Sequence, residues 1–325
     1  MTATRSIADF LGRYGVIAAL ILLIAFGAIR YDNFLGLFNV LTFMRYNSMF
    51  ALVSLGMAFV IMTGGIDLSV GAVAALGSVV AALVSPYGMA VGFFAGAAVG
   101  LVAGLLNGLM VTRLAIFPFI ATLAMMLGAK GTALLLAGNE SVAVDYDSTF
   151  TNLGQGDILG FPIPAWIAFS AFVVGSVVLN FTEFGRTTLA IGGNEDATRL
   201  MGLPVDRVKL FVYAMSGTLA AIAGVILASQ FGAGQPIEGA GWELFAIAAV
   251  VVGGTSLMGG KGSVGTTLAG VALLGMIFNI LNFENGLGWI SLSAYWQSVV
   301  RGIFLLVVVV LQTRLANREA ASRSV

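Results

Sequence analysis

The chain has 325 residues, 59% of them hydrophobic and 9% charged, with zero formal net charge, no cysteine and no histidine; its mean hydropathy is +1.02. So few charges cannot cover that much apolar side chain in a water-soluble fold of this size, so the chain reads as an integral membrane protein. Neutrality gives no support to nucleic-acid binding, and the two missing residue types remove disulfides, thiol chemistry, the commonest metal ligand and the commonest general base.

The apolar windows run to about twenty residues, the length of a membrane helix rather than a barrel strand. They predict an all-α polytopic membrane protein of about ten transmembrane helices, at residues 14–29, 46–63, 70–84, 89–112, 116–137, 164–181, 210–231, 244–257, 264–281 and 296–311. Residues 1–325 then form one transmembrane domain, embedded over about 14–311, with no soluble domain left over. The first window follows Arg5 and Arg13 as in a secretory leader. It lacks a small-residue cleavage site ahead of a polar chain, so it is taken as the first span.

Positive charge sets the orientation. With the N-terminus inside, Arg5, Arg13, Arg113, Arg186, Arg199, Arg207, Lys209, Lys261, Arg314, Arg318 and Arg323 fall in cytoplasmic segments. Only Arg30 and Arg45 fall outside, while Lys130 and Arg301 lie within spans. Both termini and the 182–209 loop are therefore expected in the cytoplasm. The longest external connection is 138–163, acidic and without Lys or Arg. It reads either as a solvated loop or as a docking surface for an external partner.

Two spans are short and abut glycine-rich breaks, GGIDLSVG at 64–71 and GGTSLMGG at 253–260. Irregular backbone at membrane depth must line a cavity or be buried in protein, so the breaks are candidates for a transport path. They match at four of eight positions with a constant offset of 189, a candidate internal repeat. Asp67 is a carboxylate at bilayer depth, where a charge costs about 2.5–3.5 kcal/mol. It reads either as a path residue or, with Ser69, as the cap of the helix that follows. Thr255 and Ser256 occupy the second break. Glu243 is either a rim residue at the outer mouth or an ordinary loop charge. Asn107, Asn279 and Asn282 could hydrogen-bond a polyhydroxylated solute or join helices. Lys130 and Arg301 are expected to snorkel or to pair with a loop carboxylate. The small residues at 95–108 and 265–275 permit close helix packing.

Within 181–209, Asn194 is a good N-cap, with Glu195 and Asp196 in the first turn. Gly202 can close the helix in a left-handed conformation, and Pro204 prevents it from resuming. The result is a helix of about two turns, too short to persist alone. Its apolar face of Ala197, Leu200 and Met201, beside Arg199, needs another protein to dock on.

No phosphate-binding loop occurs, no catalytic constellation is available without histidine, and no metal site is expected. A proton- or ion-coupled secondary transporter of a small polar solute is the alternative reading. It would ordinarily show a relay of intramembrane acids, and only Asp67 qualifies.

GGIDLSVG at 64–71, FGRTTLAIGGNEDATRLMGLPVDRVK at 184–209 and ELFAIAAVVVGGTSLMGGKGSVGTTLAG at 243–270 together resemble the permease subunits of bacterial monosaccharide ABC importers, the ribose, xylose and galactofuranose class. The likeness runs from about Tyr31 to Leu311. It implies an ABC importer permease fold in the bacterial inner membrane and a second permease subunit, identical or related. It also implies a cytoplasmic ATPase that uses ATP, so that this chain needs no cofactor, and a periplasmic sugar-binding protein. Residues 194–203 are similar to the family's ATPase-coupling helix. The family is described with inverted repeats, whereas the offset of 189 pairs spans of the same direction. Lys261 stands where many relatives have a small or uncharged residue.

Overall fold

The computed structural model describes residues 2–286 and, beyond them, Trp296, Val299, Gly302 and Ile303; within the long stretch, side chains are described over 15–285. It is mostly helical. The helices are α1 (Thr2–Arg30), α2 (Leu37–Met62), α3 (Val70–Leu83), α4 (Met89–Thr112), α5 (Pro118–Ala137), α6 (Asn152–Gln155), α7 (Ile163–Phe181), α8 (Glu183–Gly193), α9 (Glu195–Leu200), α10 (Val205–Phe231), α11 (Trp242–Val252) and α12 (Val264–Gly286). Among the described residues there are also four two-residue strands, β1 (Val142–Ala143), β2 (Asp157–Ile158), β3 (Phe161–Pro162) and β4 (Ala233–Gly234), and two short 3-10 turns at Ser85–Tyr87 and Thr149–Thr151. Among the described residues six helices (α2, α4, α5, α7, α10 and α12) are long and apolar enough to cross a membrane. The chain is a multi-pass membrane protein.

Nine of the ten expected spans coincide with described helices. The tenth, 296–311, lies outside the described residues apart from the four positions named above. Boundaries differ for local reasons. Helix α2 starts at Leu37 because Asn39, Arg45 and Asn47 lower the hydropathy of its first turns without breaking the helix. Helix α11 stops at Val252 because Gly253 and Gly254 end it, well before the expected boundary at 257. Helix α8 was not expected; Thr182 caps it by accepting from the backbone N–H of Gly185.

Contacts divide the chain into two units, one formed by the described parts of Met1–Phe34 and Ala272–Val325, the other by Leu35–Val271. In the first, the Tyr31, Phe34 and Phe283 rings cluster with centroids 5.2–5.9 Å apart. The Tyr31 hydroxyl donates to Glu284, and Arg30 lies 3.8 Å from the same carboxylate.

In the second unit, α10 is the central helix and packs on α4, α3 and α2. Along α4, Gly96, Gly100, Gly104 and Gly108 recur every four residues and face α10 so closely that a Cβ would strike its backbone or side chains. Such a stripe lets apolar helices gain dispersion contact where no hydrophobic effect drives them together. The far end of α10 is pinned to the 138–163 connection. There β1 pairs antiparallel with β4, Val142 opposite Gly234. The Ser229 hydroxyl accepts from Gly154 N–H and donates to the Phe150 carbonyl. Arg45 of α2 pairs with Asp157 at 2.8 Å in the same region.

Helices α2 and α11 end in the same turn. Gly64 N–H bonds the Ile61 carbonyl and Gly65 N–H that of Val60, as Gly254 bonds Val251 and Thr255 bonds Val250. Gly64 (φ +82°) and Gly254 (φ +86°) hold the left-handed position. Backbone geometry thus pairs Gly64 with Gly254, one residue beyond the expected alignment with Gly253. The breaks also meet: Gly260 N–H donates to the Met62 carbonyl at 3.0 Å. At the other end of the first break, Gly71 in α3 lies against Gly239, just before α11, and a Cβ on either would collide with the carbonyl oxygen of the other.

Gly71→Ala should therefore lower stability by about 1–3 kcal/mol, the usual cost of overpacking against backbone that cannot yield. Gly131→Ala in α5, with nothing within 4 Å, should leave stability unchanged or raise it by about 0.5–1 kcal/mol. Thermal unfolding of the detergent-solubilised variants checks both.

Candidate functional site

Asp67 sits in the first break, wholly buried. One carboxylate oxygen accepts from the backbone N–H of Ser69 at 3.0 Å and from its hydroxyl at 2.6 Å. The other accepts from the Ser216 hydroxyl of α10 at 2.8 Å. The Asn107 amide of α4 donates to the Ser69 hydroxyl at 2.9 Å. Three of the residues singled out from sequence, Asp67, Ser69 and Asn107, therefore converge. Each is fully buried, and together they tie the break to α4 and α10. The Asn107 carbonyl oxygen and the Tyr213 hydroxyl, also buried, have no hydrogen-bond partner among the described residues; Tyr213 packs on Gly65. Ser216 and Tyr213 escaped the sequence reading. Their signal is a serine and a tyrosine three residues apart on one face of an apolar helix.

Glu243 is a first-turn residue of α11, half-buried, and accepts from Gly241 N–H at 3.2 Å. Its carboxylate lies beside Gly71, which brings the start of α11 to the start of α3. Thr255 is buried with its hydroxyl unpartnered among the described residues, and Ser256 accepts from Met258 N–H at 3.3 Å. Asn279 lies half-buried on α12, in the other unit. Lys130 is exposed on α5; Arg301 lies outside the described residues.

The 181–209 segment folds as its capping residues dictate. The Asn194 side chain accepts from Ala197 N–H at 2.9 Å, and Glu195 and Asp196 fill the first turn of α9. At the other end Gly202 is left-handed (φ +79°), with Gly202 N–H on the Arg199 carbonyl and Leu203 N–H on that of Thr198. Ion pairs tie α9 to α10. Arg199 grips Asp206 through both nitrogens, at 2.7 and 3.1 Å, and approaches Glu195 at 3.5 Å; Lys209 pairs with Glu195. The hydrogen bonds to Asp206 hold the Arg199 guanidinium above its already high pKa. The apolar face points outward. Leu200 is 89% exposed and Met201 67%, and Ala197 is exposed beside them.

Gly192, at the end of α8, was missed entirely. A Cβ there would strike the Met62 carbonyl and the Gly260 N–H, the two groups that join the breaks. A glycine in a Gly-Gly pair before a short helix carries no local sign of such contact. Among the described residues no group of three or more His, Cys, Asp or Glu could hold a metal ion.

Residues 39–309 match a family model described as branched-chain amino acid transport system / permease component. The chain is 41% identical to the ribose import permease protein RbsC of Bacillus subtilis over 305 residues, 93% of each chain. It is 37% identical to the ribose import permease protein RbsC of Haemophilus influenzae, covering 98% of each. It is 38% identical to the L-arabinose transport system permease protein AraH of Escherichia coli, covering 92% of this chain and 89% of that one. No solved structure matches.

Ser216→Ala should leave one Asp67 oxygen buried and unpaired, at a cost of about 1–3 kcal/mol. The melting temperature should fall measurably, while Ser141→Ala, at an exposed position, should not move it.

Proposed function

The chain belongs to the family of branched-chain amino acid transport system / permease components, and on that footing we propose that it is the membrane permease subunit of an ABC importer for a pentose-class monosaccharide. The observation that carries this reading is whole-length identity of 37–41% to permeases named for ribose and L-arabinose. The family description names amino acids, so the family serves several solutes; the sugar relatives decide between them. A cytoplasmic ATPase hydrolyses ATP, this chain holding no cofactor of its own. A periplasmic binding protein delivers the sugar, and a second permease subunit completes the path. The proton- or ion-coupled alternative gains nothing from these relatives.

In this reading the protein lies in the bacterial inner membrane with ten spans, both termini and 182–209 in the cytoplasm, and 138–163 in the periplasm. An inverted internal repeat is supported by the reciprocal contact of Gly71 with Gly239. In this reading a two-fold axis exchanges α2–α3 with α10–α11, and the two packings it relates, α3 on α10 and α11 on α2, are both present. This replaces the same-direction pairing of 64–71 with 253–260.

The ATPase grips Leu200 and Met201, so α9 is the handle. Asn194, Glu195, Asp196 and Gly202 shape it, and Ala197 and Arg199 complete its face and its tie to α10. When the ATPase pair closes, the handle moves and draws Gly192 away from the Met62–Gly260 junction. The breaks then part. Asp67, Ser69, Asn107 and Thr255, buried in this state, become available to a passing sugar, with Ser256 and Glu243 beside them. Asn279 is proposed as a further path residue on its amide chemistry alone. Few charges and transient polar contacts suit one-way delivery, and specificity rests with the binding protein.

The test is uptake of labelled ribose, L-arabinose and leucine by vesicles holding the chain with its ATPase and binding protein. A pentose should be taken up and leucine not; the reverse would overturn the substrate class. Leu200→Asp should lose ATPase co-purification and at least tenfold in uptake, and normal transport by this variant would sink the handle. Gly192→Leu should keep the ATPase bound yet lose uptake; if it transports normally, the junction is not the gate.

A further inference from the structure

Two adjoining cavities, of about 640 and 370 Å3, flank the junction of α9 and α10. They share Leu203, Pro204 and Arg207 and so form one groove. Arg186 on α8 and Arg207 on α10 line the larger cavity, and Arg113, just beyond α4, closes the smaller. All three arginines are exposed, and none has an acidic partner among the described residues. The carboxylates lining the groove are Glu183 and Asp206, and Asp206 is already engaged by Arg199. The groove therefore holds excess positive charge. Its remaining wall is apolar, from Phe184 of α8 and Val208 and Phe211 of α10, with Phe211 60% exposed.

The position of the groove fits its chemistry. Helix α7 ends its span at Phe181 and α8 follows one residue later, while the span of α10 opens at Val205. Arg113, Arg186 and Arg207 thus fall at the ends of apolar spans, and Phe211 lies one turn further into α10 than Arg207. We propose that this groove binds the headgroup and upper acyl chain of an anionic phospholipid of the surrounding leaflet. Guanidinium forks match a phosphodiester, and the missing counter-charge is what a phosphatidylglycerol supplies. A zwitterionic lipid brings its own ammonium into a basic groove, and free phosphate leaves the apolar wall unused. Arg199 of α9 also lines the smaller cavity, where it is engaged with Asp206, but Leu200 and Met201 line neither, and the site does not depend on which solute is transported.

Native mass spectrometry of the purified full chain tests this. The probes are phosphatidylglycerol, phosphatidylcholine with the same acyl chains, and inorganic phosphate. The wild type should retain one phosphatidylglycerol at concentrations where phosphatidylcholine is lost. Arg186→Gln with Arg207→Gln should weaken retention at least fivefold while unfolding at the wild-type temperature, and Lys130→Gln should change nothing. Equal retention of both lipids, or phosphatidylglycerol binding unaffected by the double substitution, overturns the proposal. So does displacement by millimolar phosphate, which marks a simple anion site. Loss of ATPase co-purification in the double variant with lipid retention unchanged would assign the groove to that partner instead.

Discussion

Backbone that leaves the helix inside an apolar bundle has no water to turn to, so its N–H and carbonyl groups must be satisfied by protein. Among the described residues the two glycine-rich breaks face this demand and meet it largely by coming together. The Met62 carbonyl, left over at the end of α2, accepts from Gly260 in the second break. The carboxylate of Asp67 supplies the acceptor that Ser69 N–H needs before α3 begins. Such contact requires backbones to approach without side chains between them, which is why Gly192, Gly259 and Gly260 gather at the junction. The centrality of α10 follows from the same demand, since it provides Ser216 to the buried carboxylate and a small-residue surface to α4.

The charges around Asp67 and those around α9 work under different physics. The α9 pairs are roughly half-exposed except for the better buried Lys209, where an ion pair contributes about 0–1 kcal/mol and is screened by salt. They orient α9 against α10 without fixing it rigidly. Asp67, Ser69, Ser216 and Asn107 are shut away from water, where losing one partner costs more than a surface pair contributes. Attachment of α9 at the surface is therefore looser than the attachment of the first break in the core.

Much of this was legible in the residues. Hydropathy placed nine described helices, because a bilayer imposes length and apolarity together. The caps of α9 were readable because Asn194 and Gly202 act locally, and the outward face of Leu200 and Met201 followed from the shortness of that helix. What could not be read depends on distant chain. Ser216 is an ordinary serine until α10 is laid beside the break, and Gly192 is one of 43 glycines until α8 is folded back. Helix α8 was obscured by its glycines, and β1 and β4 are two-residue strands 91 positions apart whose pairing no local pattern announces. The identical letters at 64–71 and 253–260 accompany a shared helix-ending turn, in which Gly64 corresponds to Gly254, while the close contact of Gly71 with Gly239 is one that no local pattern announces.

Helix α10 has 27 residues and no proline, a continuous helix of about 40 Å. One tip is knotted into the long acidic connection by β4 and Ser229, and the other is clasped to α9 by Asp206 and Lys209. A continuous helix fastened at both tips passes a displacement of one tip to the other without any intervening segment having to refold, so α9 and the 138–163 connection are mechanically joined through it.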